Sequence, residues 1–233
     1  NFSIEPMDNH GFCRCPDCVR QYHPERSSDR GEQSDYVFRF VKAVADEIAK
    51  SHPGKRISTL AYMSREGVPH EVRLPDNVTV HFTFHGNRMP NSPLLTQQQT
   101  LLRTWRKEYP GNGFGVWLYD CFPEYIAYRR GFNCFPGFFA SLLADEYRFL
   151  REMDAKECIF YDGMKDDFEN WLSFAWMWDP SVPLAGLKDR YFASFGAAEK
   201  PIRAFYDLVE SRFCDKSLYG NNDSHQTQEV AWK

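Results

Sequence analysis

Three observations predict an α/β fold built on a parallel sheet. Helical and extended patterns alternate along the chain, the extended segments are short and rich in β-branched and aromatic residues, and no glycine-rich phosphate loop follows any of them. Such alternation leaves two architectures, an open doubly wound sheet or a (β/α) barrel. The missing phosphate loop removes the commonest reason to favour a dinucleotide fold. If the sheet closes into a (β/α)8 TIM-like barrel, this chain supplies about the last five strands and extra C-terminal helices. A barrel has eight strands, so an upstream barrel segment of the same protein is an expected partner.

Each element has its own signal. Phe2 to Met7 is short and β-tolerant and runs into Asp8-Asn9-His10-Gly11, a string with turn chemistry. From Asp35, apolar residues recur at Val37, Phe40, Val41, Val44 and Ile48, the spacing of one helix face, and His52-Pro53-Gly54 stops the pattern. Ile57 to Met63 reads as a strand. Val78 to Phe84 alternates with the two-residue period of a strand and is the clearest of all. A helix is expected from Leu94 to Tyr109, ended by Pro110-Gly111, then a strand from Phe114 to Tyr119 that meets an acid at Asp120. Helical spacing returns over Phe138 to Met153, and Glu157 to Tyr161 forms a fifth strand ending at Asp162-Gly163. Three helices follow, over Asp166–Trp178, Leu184–Phe195 and Ala197–Phe213, separated by Pro180, Pro183 and Gly196. Residues 1–215 are read as the C-terminal part of one barrel domain, and residues 216–233 as a polar tail.

Composition narrows the chemistry. Of 233 residues, 20 are Phe, 12 Tyr and 6 Trp, a density that fills large cores and can also supply flat platforms for sugar rings. The formal net charge is −4 and no Lys/Arg block tracks a phosphate backbone, so nucleic acid is not an expected partner. No stretch approaches the apolar length of a membrane span. No cofactor is expected.

In barrel enzymes the working residues lie just beyond the C-terminal ends of the strands. That rule selects Asp8, Asp120 and Asp162, with Glu124 further along its loop. Glycoside hydrolysis needs paired carboxyl groups, or one acid plus a group that stabilises the oxocarbenium-like centre; the competing view is that each Asp caps a turn or helix. Tyr62, His85, Trp117, Tyr119 and Tyr161 lie at or near the same ends, where a ring can pack on a pyranose face while its polar tip meets a hydroxyl. His81, within its strand, reads as a satisfied core histidine. Trp171 to Trp178 carries aromatics at helical spacing and reads as core.

Seven cysteines, an odd number, do not make a disulfide framework. Three cluster in His10-Gly-Phe-Cys13-Arg-Cys15-Pro-Asp-Cys18, with His23 shortly after. A disulfide or packed thiols is the preferred reading, so no metal is expected. The alternative is a structural zinc on Cys13, Cys15, Cys18 and His23, since Cys15-Pro-Asp-Cys18 has the spacing of a metal knuckle.

Several strings together resemble a known family: the strand ending in an acid followed by Gly-Phe-Cys13-x-Cys15-x-x-Cys18, the Leu60–Met63 segment LAYM, Trp178-Asp179-Pro180 at a helix end, and Tyr191 to Phe205 with Phe195-Gly196-Ala197-Ala198. They are similar to the domain of unknown function family 4838, part of which is classed as glycoside hydrolase family 163, and the likeness runs from Phe2 to about Phe213. The resemblance implies a TIM-like barrel in a secreted, periplasmic or cell-surface bacterial protein that degrades glycans, acting as an endo-β-N-acetylglucosaminidase on an oligosaccharide substrate. It also implies that the substrate's own acetamido group is the nucleophile, leaving the protein to supply one acid/base and one carboxylate that orients the acetamide. Asp8 matches the acid after the first strand of the motif. Asp162 stands where many relatives carry Glu, one methylene shorter, and that departure leaves a non-catalytic glycan-binding module as the alternative.

Overall fold

The computed structural model describes residues 2–5, 7, 11–84, 93–120, 138–155, 159–162 and 167–215. The chain divides into two compact units. The first comprises Asn1–Phe84, Gln97–Trp117 and Met153–Phe160, and the second His85–Thr96, Leu118–Glu152 and Tyr161–Lys233.

The first unit is built on a sheet. Strands β1 (Phe2–Ser3), β2 (Ile57–Ala61), β3 (Val78–Phe84), β4 (Gly113–Tyr119) and β5 (Ile159–Asp162) neighbour one another in chain order, β4 and β5 passing into the second unit after Trp117 and Phe160. β1 pairs parallel with β2, placing Phe2 opposite Ile57, and β2 pairs parallel with β3, placing Ile57 opposite Val78 and Ala61 opposite Phe82. All seven residues of β3 are buried, so this strand is covered on both faces and its apparent polar side lies inside as well.

Helices link the strands. Pro16–Val19 forms α1, a single turn, and Ser34–Ser51 forms α2, which buries Val37, Phe38, Val41 and Ala45 along one stripe and ends before Gly54 at φ 81°. Pro93–Glu108 forms α3. Its Trp105 packs on Phe38 with ring centroids 5.2 Å apart, and its indole N–H donates to the Glu66 carbonyl at 2.8 Å. A buried indole with its one donor satisfied contributes apolar area without a desolvation penalty.

Apart from the ends of β4 and β5, the elements among the described residues of the second unit are helices. Ala140–Glu152 forms α4, Asp167–Trp178 α5, Leu184–Ala193 α6 and Glu199–Phe213 α7. An aromatic cluster holds it together: Phe138 stacks on Tyr206 at 4.0 Å, and Phe168 packs on Phe192 at 5.0 Å and on Tyr206 at 5.3 Å. The Trp171–Trp178 string divides, because Leu172 and Trp176 are buried while Phe174 and Trp178 are exposed, the latter by 92%. Core is thus half of what that string does.

Expected and observed elements agree closely. β3 matches its expected bounds, α2 begins one residue before Asp35, and the strand expected to Met63 ends at Ala61, where Met63–Arg65 turns into a 3-10 helix with Met63 at φ 54°. The architecture is α/β with parallel pairing. The 216–233 tail lies outside the described residues.

Candidate functional site

Acids in the interior are the natural place to seek chemistry, because burial there must be compensated or exploited. In the first unit, Asp35 and Glu66 are fully enclosed. Asp35 accepts from Arg26 at 3.2 Å and from the backbone N–H groups of His70 and Glu71 at 3.2 and 2.6 Å. Glu66 pairs with Arg30 and accepts from the Gln98 amide at 3.1 Å. Arg65 stacks on Phe12 and on Tyr62, with centroid distances of 5.9 and 5.5 Å. Tyr62 therefore packs on a buried guanidinium in this unit.

The second unit encloses Asp120, Glu146, Glu169 and Glu210. Two of these serve the start of α4. Glu169 accepts from the Phe139 N–H at 3.1 Å and Glu210 from the Ser141 N–H at 2.6 Å, carboxylates placed where a helix N-terminus presents free donors and partial positive charge. Glu210 also meets Lys188 at 3.4 Å. Burial, with Glu210 and Glu169 nearby, pushes the Cys214 thiol up to about 12.

Asp120 and Glu146 are arranged differently. Asp120 follows directly on β4, in line by strand alternation with Val116 and Leu118, and it is fully buried. Glu146 lies on the buried stripe of α4, four residues after Leu142 and three before Phe149. Burial pushes the Glu146 carboxyl well above its ordinary value, and the charge of Asp120 pushes it further. Neither Glu146 oxygen meets a hydrogen-bond donor among the described residues. A buried carboxyl raised by burial and by a second acid beside it is an arrangement suited to acid/base work.

Sequence reasoning selected Asp120 by its place after a strand and missed Glu146. The signal existed: Glu146 interrupts an otherwise apolar helix stripe, and an acid facing inward needs a reason. Of the other expected site residues, Trp117 and Tyr119 are half-buried on the alternate face of β4. Asp162 ends β5 and Tyr161 precedes it in the backbone. Asp8, His85 and Glu124 lie outside the described residues.

The cysteine loop forms a second cluster, in the first unit. The sulfurs of Cys13, Cys15 and Cys18 all lie within 4.8 Å of one another. Cys15 precedes α1, Pro16 opens it and Cys18 lies within it. The backbone N–H of Cys18, helped by the two neighbouring thiols, draws the Cys15 thiol below its usual range. His23 points elsewhere: Nδ1 is 3.0 Å from Glu25, and Nε2 is 3.4 Å from Glu71 and 3.9 Å from Asp35. A cleft of about 660 Å³, lined by Phe12, Cys13, Tyr36, Phe40 and Arg65 among others, opens beside the loop.

These features define an α/β protein with a buried strand-end acid pair and a three-thiol loop. The family model described as "Domain of unknown function (DUF4838)" matches residues 1–207, and the chain belongs to that family. No curated protein and no solved structure matches the chain. No helix among the described residues is long and apolar enough to cross a membrane.

Proposed function

We propose that this protein is a glycoside hydrolase of endo-β-N-acetylglucosaminidase type, cleaving complex glycans on a (β/α) barrel. The observation that carries the reading is Asp120, a buried acid at the end of β4 whose charge adds to burial in raising the Glu146 carboxyl. The strand order supports the barrel: every strand neighbours its predecessor in the chain, as a barrel requires, whereas a doubly wound sheet reverses direction at a switch point.

In this reading Asp8, Asp120 and Asp162 supply the acid/base and the carboxylate that orients the substrate acetamide, and Tyr62, His85, Trp117, Tyr119, Glu124 and Tyr161 hold the sugar. Glu146 is a positioning residue. Its raised carboxyl favours the neutral form, which limits the negative charge beside Asp120. The protein then works where glycans are exposed, outside the cell or at its surface.

The test is hydrolysis of an N-glycan with an intact chitobiose core, read by mass spectrometry of the released products. Wild-type protein should split the bond between the two N-acetylglucosamines, and Asp120→Asn, Asp8→Asn and Asp162→Asn should each lower turnover with an unchanged circular dichroism spectrum. Release by all three variants at the wild-type rate would overturn the assignment. Retention of glycan without release by wild-type protein would instead favour a binding module, the alternative that the short Asp162 side chain raises.

A further inference from the structure

We propose that Cys13, Cys15 and Cys18 bind one zinc ion, or a similar thiophilic divalent cation, as three thiolates. Tetrahedral zinc with Zn–S near 2.3 Å sets its sulfurs about 3.8 Å apart. The three sulfurs here all lie within 4.8 Å of one another, so the cluster reaches that geometry by movements of about 1 Å or less.

The loop is held in place before any ion arrives. Phe12, Tyr22 and Tyr36 form an edge-to-face triangle with centroids 5.2 to 6.3 Å apart. The Tyr22 hydroxyl donates to the Cys13 carbonyl at 2.7 Å, and the Tyr36 oxygen lies 3.6 Å from the Cys18 sulfur, placed to donate once that sulfur is a thiolate. Hydrogen bonds of this kind orient ligands and temper thiolate charge. The backbone turn is fixed as well, because the Val19 N–H donates to the Cys15 carbonyl at 3.0 Å.

Disulfide chemistry accounts for the loop less well. One bridge uses two sulfurs and leaves the third beside it, whereas a metal uses all three, and all three are free thiols. His23 is engaged by carboxylates, and among the described residues no other histidine or carboxylate joins the cluster. The described residues thus supply three ligands, two of them exposed. Binding is a proton exchange without redox change: each S–H gives its proton to solvent as its sulfur bonds the cation.

Full-length protein purified under reducing conditions, stripped with a chelator and titrated with cobalt(II), should develop a thiolate-to-cobalt charge-transfer band that saturates at one ion per chain. Zinc should then displace the cobalt. Three thiols should become protected from an aromatic disulfide reagent when zinc is present. Cys15→Ser should weaken binding by at least ~100-fold, and Cys214→Ser should leave it unchanged. Because a cysteine variant could misfold, circular dichroism accompanies each, and thiol protection in the wild type gives a reading independent of any variant. Reduced wild-type protein that takes up no cobalt, or whose three thiols react equally with and without zinc, would overturn the proposal.

Discussion

In the first unit the buried acids Asp35 and Glu66 each face an arginine, whereas among the described residues of the second unit no cation pairs with Glu146, and the charge of Asp120 acts on it instead. Both arrangements answer the cost of taking a carboxyl group out of water, which exceeds what a fold tolerates unless the charge is paired or removed. In the first unit the charges are kept and matched, tying α2 to the segment after β2 through Arg26, Asp35, His70 and Glu71. In the second, burial and the charge of Asp120 raise the Glu146 carboxyl and so favour its neutral form. A matched ion pair resists change and makes a good strut, while a displaced proton is available for transfer. Under the proposed function, the first arrangement is scaffold and the second chemistry.

The sharpest way to break that comparison is to remove the acid at the strand end. Asp120→Asn preserves shape and loses charge, so glycan turnover should fall by ~10²- to 10⁴-fold, the usual worth of a positioned acid or base. Product release is read by mass spectrometry. A fall below tenfold would move Asp120 into the scaffold class. In the first unit the cost should appear in stability. Arg26→Ala leaves Asp35 buried with only its two backbone donors, and urea unfolding should show a loss of about 3 kcal/mol. An unchanged midpoint would mean that those donors suffice.

Glu146→Gln should run in the opposite direction. The folded-state carboxyl titrates above the ordinary value of 4.5, so as pH rises past 4.5 the unfolded chain gives up this proton while the folded one keeps it. Fewer protons on the unfolded state mean that stability falls with rising pH, by up to about 1.4 kcal/mol per pH unit until the folded value is passed. Below 4.5 both states hold the proton and the stability is fully present. The amide does not titrate, so the variant should melt higher than wild type at neutral pH, with the difference closing under acid conditions. Equal melting at neutral pH would place the Glu146 pKa near that of a free carboxyl.

How much of this was legible in the chain depends on whether the governing force is local. Helix periodicity, proline stops and strand alternation are local, so α2, α3, β3 and β4 could be read to within a residue or two. Whether β3 is covered on one face or two is not local. Thr79 and Thr83 fall on the polar side of the alternation in sequence and are buried in the fold. Asp120 was readable from its place after a strand, but its coupling to Glu146 joins residues far apart in the chain. Glu169 and Glu210 show the same limit, for nothing in their own neighbourhoods announces that they cap α4 from α5 and α7. The cysteine spacing was readable as a motif, and what it lacked was the placement of His23, which the fold commits to Glu25 and Glu71.

The smallest expected effect tests whether the scaffold of the first unit is neutral as well as charged. Ser34, at the start of α2, is fully buried, and its hydroxyl donates to the Gly67 carbonyl at 2.6 Å. Gly67 is confined there: a Cβ would meet the Asp29 carbonyl oxygen at 2.6 Å, so the segment cannot shift toward residues 29 to 31 to find another donor. Ser34→Ala therefore leaves a buried carbonyl short of one partner, at a cost of about 1 kcal/mol in urea unfolding. Glycan turnover should not change, since Ser34 touches neither Asp120 nor Glu146. A loss as large as that of Arg26→Ala would show that the ion pairs are secondary and that the strut depends on its neutral hydrogen bonds.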